Sequence, residues 1–336
     1  MNVAHVKRAA AGAVAAFVLC LGLTSGLPAR EAGKDHARGL TVEEICRQID
    51  LHRARIKDIE IHYDCLTGYM KKSENGGLEF VPAVVRRDKN GNLTVAKEGE
   101  FGHVDCIWRE KGEKVFSEKH RIKYRRARGT KPEQVLKGLT RYAWNGEEGR
   151  GYRLEAGEKY GQGDITAEPA RRLRGGTGTP LTFTTRMWET APEEQGGGPL
   201  TKIFREHDTE IVSANEEFEG SRCVVVRVHD LLQKYWLDMN RGFNLVRYER
   251  LTRKGKVARK MRIELKEVGP NVWYPIEGII YEVADVYGFS RASKYRAHDV
   301  RVNQGLKDSE FTVDFPPGTY VTDVPKHRKY RATLQE

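Results

Sequence analysis

No catalytic signature is legible in this sequence. It has no Gly-x-Ser-x-Gly elbow and no His-Glu-x-x-His pair, and the glycine-rich stretch GGTGTP at 175–180 lacks the Lys-Ser/Thr that a phosphate-cradling loop requires. The acidic pairs Glu147/Glu148 and Glu216/Glu217 fall at turns or strand edges, so a glycosidase-like dyad has no support. His103 and Asp105 would share the polar face of one strand but have no further ligand at metal spacing, so neither a metal nor a cofactor is expected. Long apolar runs are also missing: the one from Ala9 to Leu23 is short for a spanning helix, and a mean hydropathy of -0.63 excludes a polytopic membrane protein.

Cysteines are few, five in 336 residues. Cys20 follows Leu19 rather than a small residue, which argues against acylation of a lipoprotein type. Lys7 and Arg8, the apolar run and then Thr24 to Ala29 read as a signal peptide over residues 1–29, cut near Ala29 or Gly26, the alternative being an uncleaved anchor. Its removal leaves 56 basic against 47 acidic residues, so the exported chain carries +9 and is expected in the periplasm. Cys46, Cys65, Cys106 and Cys223 remain, enough for two disulfides in three connectivities, or else buried free thiols.

What the chain has in abundance is alternation. TVEEICRQIDLHRARIK (41–57) predicts a helix, with Thr41 and Glu44 as a capping box and Val42, Ile45, Ile49, Leu51 and Ile56 as its apolar stripe. DIEIHYDCL, GHVDCIWRE, KVFSEKHRIKYRRAR, RYAWNGEEGRGYRLE and the segments from Thr209 to Val302 then follow period two, with turns at Asn145-Gly146 and Asn240-Arg241-Gly242. Two segments break the pattern, near 71–100 (an irregular insert or extended hairpin) and near 156–199, with a short helix or flap around 181–190 and a second short helix at 200–207. The expectation is a mainly β (α+β) domain over 30–336, a curled antiparallel half-barrel of roughly ten strands with helical lids, because so wide a twisted sheet cannot lie flat.

The large apolar residues assigned to its interior are Ile61, Tyr63, Val104, Trp108, Phe116, Trp144, Val226, Trp236, Phe243 and Ile263, with Met261 and Ile280 beside them. They either pack a core or line a slot for an acyl chain. The basic run at 119–131 reads chiefly as a solvated face, with lipid headgroups as the alternative; nucleic acid is not an expected partner of an exported chain.

The helix followed by IKDIEIHYD, the YAWNGEEG hairpin, the run Thr209–Val228, the hairpin WLDMNRGFNLVRYER and the terminal SEFTVDFPPGTYVTD together resemble the LolA-like family of periplasmic outer-membrane lipoprotein carriers. The resemblance implies an incomplete β-barrel lidded by helices, with no enzymatic activity, that holds lipid or lipoprotein acyl chains and passes them to the outer membrane. It also leaves open an envelope-stress sensor or interaction module of the same fold that contacts an envelope membrane protein. An unrecognised hydrolase would need polar residues converging at the cavity mouth.

Overall fold

The computed structural model describes residues 39–75, 77–87, 93–98, 103–125, 134–155, 157–168, 199–283 and 290–333. The expected signal peptide and the flap at 181–190 lie outside them. Helix α1 spans Val42–Arg53, and its start follows from Thr41, whose Oγ1 accepts the backbone N–H of Glu44 at 3.1 Å. Only half of the predicted capping box forms, because the Glu44 carboxylate turns away to Arg47 and Gln48. Ile45 and Ile49 are buried as expected, but Leu51 is 48% exposed and Ile56 lies beyond the helix end. Helix α2, Leu200–Glu206, buries Leu200, Ile203 and Phe204.

Among the described residues seventeen strands form one large curled, unclosed sheet, more than the ten or so expected. One end starts from β9 (Thr209–Phe218) and runs through β10 (Ser221–Val228), β11 (Gln233–Asp238), β12 (Asn244–Leu251), β13 (Val257–Gly269), β14 (Val272–Glu282) and β15 (Ser290–Val302). β15 pairs with β1 (Asp58–Lys72), and the order continues through β4 (Val104–Lys111), β5 (Lys114–Arg125), β6 (Gln134–Trp144), β7 (Gly149–Leu154) and β8 (Gln162–Thr166). β16 (Tyr320–Asp323) joins β8 in parallel, the one departure from the antiparallel pattern among the described residues, and β17 (Arg328–Arg331) closes the row.

Three of the surplus strands come from the two segments that break the alternation: the first forms the extended hairpin that is one of its two readings, and the second, read as too polar for the sheet, still supplies a strand. β2 (Leu78–Arg87) and β3 (Leu93–Glu98) form a hairpin in the first insert, and β2 pairs with the far half of β1. β8 lies in the second, and backbone pairing carries all three because a ladder needs hydrogen bonds rather than a strict apolar face.

Residues directly opposite in an antiparallel ladder share a face. Ile61 faces Trp108 and Val300, while Tyr63 faces Cys106 and Ala297, which defines a front face. Phe204 of α2 meets Tyr235 of that face edge-on, ring centroids 5.3 Å apart, so the helices cover the front. Tyr63, Trp108, Tyr235, Tyr248 and Tyr295 are all less than 2% exposed and fill it, with Tyr63 against Tyr295 and Tyr235 against Tyr248 at 5.3 and 5.4 Å. Each such side chain contributes about 1.5–3 kcal/mol through burial alone. A second, smaller core of Phe116, Ala143, Tyr152, Leu306, Phe311 and Val313 sits on the reverse face, under the segment that leads to β16.

Candidate functional site

The ten residues assigned to a ligand slot do not share one wall. Ile61, Tyr63, Val104, Trp108, Trp144, Val226 and Ile263 project to the front, and Phe243 packs beside them from the β11–β12 turn. Phe116 is opposite Arg109, hence on the back, in the second core. Trp236 is opposite Val225 and Arg247, also on the back; its Nε1–H donates to Glu216 at 2.6 Å, and Lys234 and Arg247 lie over its ring. Most of the front set, and Trp236 as well, is packed into the main core.

Open space lies elsewhere. A cavity of about 450 Å³ is walled by Met70 of β1, Leu78 and Phe80 of β2, Phe218 of β9, Val246 of β12, Ile263 and Leu265 of β13 and Ile279 of β14. Arg241, Arg262, Glu219, Glu264 and Glu277 complete its lining. Ile263 is the one residue of the predicted ten on this wall. β1 outruns β4, and β2 pairs with its free end, so the hairpin brings Leu78 and Phe80 to β13 and β14. Arg262 is held by Glu219 at 2.6 Å, Arg241 lies 4.9 Å over the Trp273 ring, and Arg247 stacks on Phe218. Reading 71–100 as an irregular insert or extended hairpin assigned Phe80 and Leu78 no place; the run LEFVPAV was the signal that pointed to them.

A second cavity of about 440 Å³ is bounded by His52, Asn244, Trp273, Tyr274, Asp50, Arg53, Lys57, Asp58 and Glu110. His52 is buried, and burial pulls its pKa down to about 4, helped by Arg55. The Asp58 carboxylate is occupied by the backbone N–H groups of Gln304 and Gly305 at 2.8 and 3.0 Å.

On the back of β1 two buried carboxylates gather bases. Asp64 is bound by His103 at 2.5 Å, His298 at 2.6 Å and Arg296 at 3.1 Å; Glu60 is bound by Arg109, by His62 at 3.2 Å and by Arg301 at 3.5 Å. Burial raises both carboxyl pKa values, and the hydrogen bonds outweigh it, leaving both below the usual range. A carboxylate so saturated holds strands together and has little freedom to abstract a proton. Among the described residues no three His, Cys, Asp or Glu are placed to hold a metal ion.

The cysteines are resolved as well: Cys46, Cys65, Cys106 and Cys223 are all free and buried, so the disulfide alternatives do not form. Burial pushes Cys46 and Cys65 up to about 11 and Cys106 and Cys223 to about 12, far from the thiolate that nucleophilic chemistry needs. Among the described residues no helix is long and apolar enough to cross a membrane.

No family model matches the chain, and no curated protein does. Among solved structures it is similar to a domain from Vibrio parahaemolyticus described as an outer membrane lipoprotein-sorting protein, at 12% identity and a TM-score of 0.42, over 81% of this chain and 97% of that one. A DUF1329 family protein from Desulfovibrio piger matches at 12% identity and a TM-score of 0.41, over 81% and 95%. A LolA superfamily protein from Nitrosomonas europaea matches at 10% identity and a TM-score of 0.38, over 82% and 99%.

Proposed function

We propose that this chain is an exported, non-catalytic binding protein that holds the apolar tail of an amphiphile, a lipid or the acyl chain of a lipoprotein, in the periplasm. The observation that carries this reading is the 450 Å³ cavity, lined by eight apolar residues of six strands together with Arg241, Arg262, Glu219, Glu264 and Glu277. Such a volume falls in the range of small-molecule sites. Each methylene buried contributes about 0.8 kcal/mol, so a tail of about ten supplies about 8 kcal/mol before ordering costs. An exposed ion pair to Arg262 adds at most about 1 kcal/mol, so the tail dominates and the headgroup is secondary. The sequence resemblance to lipoprotein carriers favours the same class of ligand.

Native mass spectrometry of protein purified from a bacterial envelope tests it. Wild type is expected to carry a co-purifying lipid mass that a cavity-filling Ile279→Trp variant, at a half-buried point of the lining, loses; a lipid-free wild type under the same conditions would count against the reading.

A further inference from the structure

Eight large apolar side chains stand exposed among the described residues, and four of them, Tyr160, Tyr320, Val324 and Tyr330, belong to one corner, the turn before β8 and the β16–β17 hairpin. Val324, Pro325, Lys326 and His327 form the hairpin tip. Residues 318–333 carry four Lys or Arg against one acid, Asp323, which is 1% exposed and already paired with Arg328 at 2.9 Å. The cations and rings are interleaved: the Arg331 guanidinium sits 4.4 Å from the Tyr320 ring centre and 5.3 Å from that of Tyr160, Lys159 lies over Tyr160, and Arg328 over Tyr330.

We propose that this corner is a docking surface for an anionic lipid bilayer. Amphipathic tyrosine rings sit at headgroup depth, lysine and arginine are drawn by the negative surface potential, and Val324 and Pro325 of the tip can enter the boundary between headgroups and acyl chains while Lys326 stays among the headgroups. Tyr160 and Tyr320 flank Arg331 on one face of the hairpin, and Tyr330, opposite Val321, stands on the other, so exposed rings border the hairpin on both sides; isolated exposed apolar residues are ordinary and such a grouping is not. β17 is the last strand of the row, with no strand beyond it among the described residues, so its outer edge can meet a flat surface.

Co-sedimentation with vesicles tests this independently of any cavity ligand. The full chain is expected to bind phosphatidylglycerol–phosphatidylcholine vesicles and not phosphatidylcholine alone. Lys326→Ala with Lys329→Ala, both exposed, should weaken binding roughly 30-fold, at about fivefold per cation near the surface. Lys254→Ala with Lys256→Ala, in the exposed β12–β13 turn, should leave it unchanged and so separates this patch from the overall positive charge. Equal loss in the two double variants, equal binding to neutral vesicles, or binding of poly-glutamate in place of vesicles overturns the proposal.

Discussion

The backbone N–H of Trp273 donates to Nε2 of His52 at 3.1 Å, tying helix α1 to strand β14 through a ring that must be neutral to accept. His52 has its pKa lowered from 6.5 to about 4 by burial. The folded state therefore binds fewer protons than the unfolded one between those values, so this contribution is present above about pH 6.5 and is lost as pH falls. Between about pH 7.5 and about pH 5 the loss amounts to about 2 kcal/mol. Urea unfolding at the two pH values should show it, and His52→Gln, which keeps an acceptor but cannot titrate, should flatten the difference.

The same ring constrains Gly242. A Cβ there would lie 2.3 Å from the His52 ring, at φ +71, whereas Gly255 has φ +76 and nothing within 4 Å. Gly255→Ala should cost about 1–2 kcal/mol for the left-handed backbone alone. Gly242→Ala should cost about 1–3 kcal/mol more, because the clash with His52 is added to the same backbone strain. Matched denaturation curves for the two variants isolate the packing effect from the conformational one.

Asp64 joins β1 to β4 and β15 through His103, His298 and Arg296. Asp64→Asn removes the charge that those partly exposed bases share and should destabilise by about 1.5–3 kcal/mol. Arg301→Ala, at the exposed rim of the neighbouring Glu60 cluster, should cost under about 1 kcal/mol. Equal effects in thermal or chemical unfolding would show that the buried cluster does not hold the strands.

The Trp108 indole N–H finds no hydrogen-bond partner among the described residues, and the Tyr63 hydroxyl has no nitrogen or oxygen partner there, only the weakly bonding Cys106 thiol beside it, although both rings are buried. Removing an unsatisfied buried polar group costs little, so Tyr63→Phe should change stability by less than about 0.5 kcal/mol or raise it. A loss above about 2 kcal/mol in urea unfolding would mean that the hydroxyl has a partner.

Much of the scaffold was legible because period-two runs carry their own facing. DIEIHYDCL and GHVDCIWRE place Tyr63 and Trp108 on one face, as the ladder has them. KYWLD was harder: Tyr235 and Trp236 are adjacent and both large, and alternation alone cannot say which turns inward. The flanking residues hold the answer, since Trp236 has Lys234 and Asp238 at its i±2 positions while Tyr235 has Gln233 and Leu237. Phe116 was misplaced because the segment that covers it, around Phe311, lies nearly two hundred residues away and nothing local announces that contact. The cavity was missed for a similar reason, as its wall is assembled from β1, β2, β9, β12, β13 and β14, and only the register of β2 on the end of β1 brings them together.

Binding of a series of saturated fatty acids that differ by single methylenes, followed by displacement of a fluorescent acyl probe, tests the central claim most directly. Affinity is predicted to rise about fourfold per methylene until the cavity is full, to change little when the headgroup is exchanged, and to fall sharply in Leu78→Glu, which sets a charge at an exposed point of the wall. Affinity independent of chain length, or unchanged in Leu78→Glu, would contradict it.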